Sequence, residues 1–191
     1  MKSLKITSSP LPTLGINLIY AVYNCTVGVI TRSWWFVTLG AYYIVLSVMR
    51  FAVMRSEHTK DTVFCRKFTG IMLIFLSICL SGTVVLSAVE DRGVKYHEIV
   101  MITIALYAFT KLTLGIINLV KDGKTEIAAA LRSISLADAF ASIFSLQRSM
   151  LVSFPGMAEG DIRLMNILTG AGVCVIVLLL GMKLIGWKAN N

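Results

Sequence analysis

Long apolar stretches, each close to the length of a bilayer crossing and separated by short charged loops, recur along the chain from residue 11 to residue 187. A hydrocarbon core about 30 Å thick takes about 20 apolar residues of helix per crossing. Lipid offers the backbone no hydrogen-bond partners, so such stretches satisfy their own N–H and C=O groups by coiling into helices. Apolar length places crossings at 11–30, 35–54, 68–89, 99–120, 127–154 and 164–187. Composition agrees, with 57% apolar and 15% charged residues, where soluble domains average about half and about a quarter. The expectation is an all-α polytopic integral membrane protein: a single transmembrane domain over 1–191 with six transmembrane helices.

The fifth stretch tests that count. It contains Arg132, Asp138, Gln147 and Arg148, so an interfacial amphipathic helix competes with a crossing. Charge distribution favours the crossing. Six spans from a cytoplasmic start leave Lys2, Lys5, Arg50, Arg55, Lys60, Arg66, Lys67, Lys121, Lys124, Arg132, Lys183 and Lys188 inside. Fewer basic residues fall outside, and those are offset by Glu90, Asp91, Glu98, Glu159 and Asp161, as the positive-inside bias requires. Both termini then lie in the cytoplasm, with the chain in the plasma (cytoplasmic) membrane. Trp34, Trp35 and Trp187 fall at span ends, where headgroups favour amphipathic rings. The basic loop from Arg55 to Lys67 is expected against anionic lipid heads. Lys2 and Lys5 precede the first apolar run, but no small-residue cleavage site follows it, which predicts a retained span.

The two halves, 11–89 and 99–187, echo one another. Tyr20, Ala21, Thr26, Gly28 and Ile30 match Tyr107, Ala108, Thr113, Gly115 and Ile117 in the same order. Ala41, Ser47 and Arg50 can be laid on Ala139, Ser145 and Arg148, and Thr69-Gly70 on Thr169-Gly170. The matches are short and drawn from a narrow alphabet. A unit of three spans repeated once has opposite orientations in its two copies, so a real repeat is a 3+3 inverted one.

Charged groups inside the apolar layer draw attention first, because they are costly there unless they meet water or a partner. Lys111 and Asp138 both sit near the middle of their spans, roughly 2 to 3 Å to the cytoplasmic side of the centre at 1.5 Å per residue. They are predicted to form a midplane pair that either lines a hydrated path or simply fixes helix register. Helical spacing aligns Tyr107, Lys111 and Asn118 on span four. On span five it aligns Arg132, Ser135, Asp138, Ser142, Ser145 and Ser149. Asn17, Tyr20, Asn24 and Gly28 form a comparable face on span one, and Gly40, Tyr43, Ser47 and Arg50 on span two. Packing is the stronger account of the serines, since small hydroxyls let helices approach and bond back to their own backbone, which ranks Asp138 above them. Arg50, Arg148 and Arg132 are secondary candidates, the first two expected chiefly as anchors at span ends. The principal path residues are thus Lys111, Asp138, Tyr107, Asn24, Tyr20, Asn118, Ser142 and Ser145, around helices one, two, four and five.

Cys25, Cys65, Cys79 and Cys174 are scattered without a paired motif, and His58 and His97 lie in loops, so neither a metal nor any other cofactor is called for. No phosphate loop, zinc-protease helix or nucleophile elbow is present. The net charge of +8 borders the spans, which favours membrane orientation over nucleic-acid binding. These features favour a small transporter or channel for an ion or polar solute. A non-transporting subunit that assembles through the serine-rich face of span five is the alternative. A lipid or quinone enzyme using Asp138, His97 or Tyr107 ranks third. Besides the lipid bilayer, the small-residue faces permit a homo-oligomer or another membrane subunit as partner.

Overall fold

The computed structural model describes residues 10–59, 62–89, 98–120, 125–153, 156 and 158–186. These form six helices and, among the described residues, no strand: α1 Pro10–Thr31, α2 Trp34–Thr59, α3 Thr62–Val89, α4 Glu98–Val120, α5 Glu126–Ser153 and α6 Glu159–Gly186. Five of them, all but α4, are long and apolar enough to cross a membrane. In α4 the apolar segment traced through the described residues is Met101–Ile117, with Lys111 inside it. The chain is thus an all-α, multi-pass membrane protein by architecture.

Local chemistry explains the tight start. Helix α1 ends where Arg32 takes a left-handed conformation (φ 51°) and the Ser33 amide donates back to the Gly28 carbonyl at 3.1 Å. That closing pattern satisfies carbonyls the helix end would otherwise leave bare. Helix α2 then begins at Trp34, so α1 and α2 form an antiparallel hairpin. The loop expected between Arg55 and Lys67 is largely helical. Helix α2 runs on to Thr59 and α3 starts at Thr62. Arg66 is buried, not lipid-facing: its guanidinium donates to the Leu184 carbonyl at 2.8 Å and pairs with Glu126 at 3.5 Å, tying α3 to α6 and α5.

The core lies among α2, α3, α5 and α6, where Tyr42, Leu46, Leu76, Ile134, Phe144 and Val177 are all but inaccessible. Helices α3 and α6 share the most extensive contact, across glycines that let backbones touch: a Cβ on Gly181 would stand 2.9 Å from the Gly70 carbonyl oxygen. Helix α1 packs on α2 and α4 packs on α5, each on the outside of this core. Among the described residues, helices α1 and α4 make no backbone-level contact with each other.

Helix α5 resolves the ambiguity raised by its charges. It packs against α2, α3, α4 and α6, and its buried residues fall on several faces, including Ala130, Ile134, Ala137, Asp138, Phe144 and Arg148. A helix lying in the headgroup layer would bury one face only. Its polar residues are tolerated because protein, and not lipid, surrounds them.

Candidate functional site

Asp138 is the centre. Its side chain is 2% exposed, and each carboxylate oxygen meets a cation from a different helix: Lys111 Nζ of α4 at 2.8 Å on Oδ1, Arg50 Nη2 of α2 at 3.2 Å on Oδ2. The predicted Lys111–Asp138 pair is therefore present, with Arg50 added to it. The buried carboxylate is tolerated in an apolar layer because both of its oxygens are met by a cation at hydrogen-bond distance.

Aromatic rings enclose the ammonium. Lys111 Nζ lies 4.8 Å from the Tyr107 ring centroid and 5.8 Å from that of Tyr43, within range for cation–π attraction. Tyr20 of α1 stacks on Tyr107 of α4 with centroids 5.9 Å apart and planes 8° from parallel, and leans on Tyr43 at 5.6 Å. These two tyrosines, matched in the sequence echo, are where α1 and α4 meet. Behind them the Tyr42 hydroxyl donates to the Ala137 carbonyl at 3.0 Å, fixing α2 against α5 beside the carboxylate.

The other predicted residues divide. Ser142 is buried and donates to the Asp138 carbonyl at 2.8 Å within its own helix, as the packing interpretation expected. Ser145 Oγ is buried without a hydrogen-bond partner among the described residues. Asn24 is buried but donates to the Tyr20 carbonyl at 2.7 Å, one turn back on α1. The side chain of Asn118 lies outside the described residues, as does His97. Arg132 stands about 9 Å along α5 from Asp138 and lines a separate cleft of about 730 Å³ with Ser133, Leu180 and Lys183.

The two arginines expected as anchors turn inward. Arg50 is 4% exposed, on Asp138. Arg148, equally buried, places its guanidinium 3.7 Å from the centroid of the Trp35 ring. A guanidinium is weakly hydrated and stacks on aromatic faces, so protein replaces the headgroups it would otherwise seek. Sequence reasoning had put Arg50 on one face with Tyr43 but left Tyr43 and Tyr42 out of the site. The seven-residue spacing of Tyr43 and Arg50 was the available signal. Asn17 was likewise passed over. It is wholly buried with neither amide atom bonded among the described residues. The α1–α2 register, with Tyr20 on Tyr43 and Gly28 against Val37, brings it level with Ser47, one turn from Arg50.

A multi-pass helical membrane protein with an ion-paired interior is the class that fold and site define. No protein-family model matches the sequence, and no characterised protein is significantly similar to it.

Proposed function

We propose that the protein is a small transporter or channel in which α1, α2, α4 and α5 surround a path for an ion or small polar solute, with Lys111, Asp138 and Arg50 at its centre. One observation carries this reading: a carboxylate buried at mid-span is shared by cations from two other helices, behind a tyrosine stack between α1 and α4. Ionisable groups held inside the apolar layer characteristically mark ion and solute pathways. A cation that can leave one carboxylate oxygen while the other stays paired provides a means of exchanging partners as a solute passes. Aromatic rings that only stack, without backbone packing behind them, can swing aside.

A 3+3 inverted repeat, if the two halves form one, would accord with the same reading. Exchanging α1 with α4, α2 with α5 and α3 with α6 converts the α1–α2 and α2–α3 contacts into α4–α5 and α5–α6 and leaves α3–α6 and α2–α5 in place, although the α3–α5 contact has no α2–α6 counterpart among the described residues. Gly70 approaches Ile185 while Gly170 approaches Val84, reciprocal contacts of the kind a pseudo-two-fold axis makes. Repeats of this kind place solute sites at mid-membrane between the halves. The halves differ where chemistry is concentrated. Lys111 and Asp138 align with Asn24 and Gly40, and Gly40 lies so close to Cys25 that an added Cβ would displace its sulfur. Orientation follows the basic-residue bias, with both termini cytoplasmic in the plasma membrane.

The competing subunit reading uses the serine-rich face of α5, of which Ser142 is buried within the chain while Ser135, Ser145 and Ser149 are half-buried. Flux in proteoliposomes is the test. Wild type is expected to move at least one member of a panel of protons, inorganic ions and small metabolites. Lys111→Met and Arg50→Gln, each leaving Asp138 one cation, are expected to fall to the level of protein-free vesicles while eluting as folded protein. No wild-type flux across the panel would return the subunit reading to first place.

A further inference from the structure

The charge count at Asp138 narrows the cargo. Arg50 and Lys111 bring two positive charges to one carboxylate, with side chains only 4%, 12% and 2% exposed. Neither cation has a second carboxylate within ion-pair distance among the described residues. A surplus charge in a site shielded from water is costly, and matched, hydrogen-bonded charges are what make such sites tolerable.

The unpaired polar atoms have the complementary chemistry. Arg50 Nε is sealed from solvent and has no hydrogen-bond partner among the described residues, and since it can only donate, what it lacks is an acceptor. Among the described residues the Tyr107 hydroxyl is buried without a partner, and the Asn17 amide, one turn from Arg50 in register, is unbonded at both atoms. Both can donate as well. Lys111 retains further N–H donors after its bond to Oδ1.

We propose that this site binds a small monovalent anion, of carboxylate or halide size, between Arg50, Lys111 and Tyr107, which supplies the second negative charge. The inference rests on reading the cluster as a solute site and assigns the class of its cargo. Charge-assisted hydrogen bonds from the Arg50 Nε–H and the Lys111 ammonium hold the anion, and the Tyr107 hydroxyl adds a neutral donor. Asp138 then acts as the resident counter-ion that keeps the empty site from carrying two unmatched cations. Entry is from the α1–α4 side, where Tyr20, 37% exposed, covers Tyr107. The rings close around Lys111 at 4.8 and 5.8 Å, which favours small anions over bulky ones.

Binding separates this inference from transport. Purified full-length protein in detergent is titrated with sodium formate, acetate, chloride and nitrate, with sulfate and gluconate at matched ionic strength as controls. The readouts are thermal unfolding and tryptophan fluorescence. A saturable response to one or more of the small monovalent anions is expected, unchanged when choline replaces sodium. Arg50→Gln, which cancels the surplus charge, weakens it by about tenfold or more, whereas Arg50→Lys keeps the charge and stays within several-fold of wild type. No saturable anion response in wild type, or an Arg50→Gln variant that binds like wild type, overturns the inference. Anion binding without flux leaves it standing and removes only the transport reading; flux of a cation or neutral solute without anion binding does the reverse.

Discussion

Asp138→Leu will lower stability by about 3–5 kcal/mol, the largest loss expected from any single change in the interior. The carboxylate holds Lys111 at 2.8 Å and Arg50 at 3.2 Å, and all three side chains are at least largely withdrawn from solvent. Leucine matches the apolar surroundings in size but leaves two cations facing one another with nothing between them. Removing one member of a buried ionic cluster is far more damaging than removing all of it, because the remaining charges keep their desolvation penalty without the compensating attraction. The prediction therefore has a second part. Adding Arg50→Gln and Lys111→Met to Asp138→Leu should recover most of the loss, since neutral groups replace every charge. Chemical unfolding in mild detergent, read by tryptophan fluorescence, measures both. A triple variant no more stable than the single one would show that the loss came from shape and not from charge.

Gly181→Val should cost about 1–3 kcal/mol, toward the upper end of what overpacking usually produces. The added Cβ would stand 2.9 Å from the Gly70 carbonyl oxygen and 3.2 Å from the Ile74 amide nitrogen. Those are backbone atoms, and no rotamer change moves them aside. Relief would require α3 and α6 to separate along the seam that anchors the core. In lipid this seam has little hydrophobic driving force, because the acyl chains are as apolar as the helices; close van der Waals packing of small residues is what holds it. Gly172 on the same helix is the control. A Cβ there meets nothing within 4 Å, so Gly172→Val should stay within about 0.5 kcal/mol of wild type. Equal losses at the two positions, read as unfolding midpoints, would count against the tight-seam explanation and point to helix propensity instead.

Several features followed from the linear order of residues because their physics is local. Apolar length sets where a chain crosses lipid, and the predicted segments overlap all six helices. Position along a helix, at 1.5 Å per residue, sets depth, and Lys111 and Asp138 share a depth because their spans run in opposite directions through one slab. The high cost of an ionisable group in hydrocarbon then made each the other's natural partner, and the structure joins them at 2.8 Å.

Which helix faces which is a different kind of property. Periodicity assigned Arg50 to a face of α2 together with Tyr43, but could not say that this face meets α5, 88 residues away along the chain. A long flexible side chain near a helix end reaches either outward to headgroups or inward to a carboxylate, and only a neighbour's position decides between them. The same holds for Arg148, whose partner is an aromatic face on another helix, and for α5 as a whole, whose charges suit either a bilayer surface or a protein interior. The sequence by itself determined the helices, their depth and the central pair, because lipid imposes one-dimensional limits on length and charge. Only the tertiary structure decided the third member of the cluster, the tyrosine enclosure and the central place of α5, because these depend on which of several equally apolar faces pack most closely.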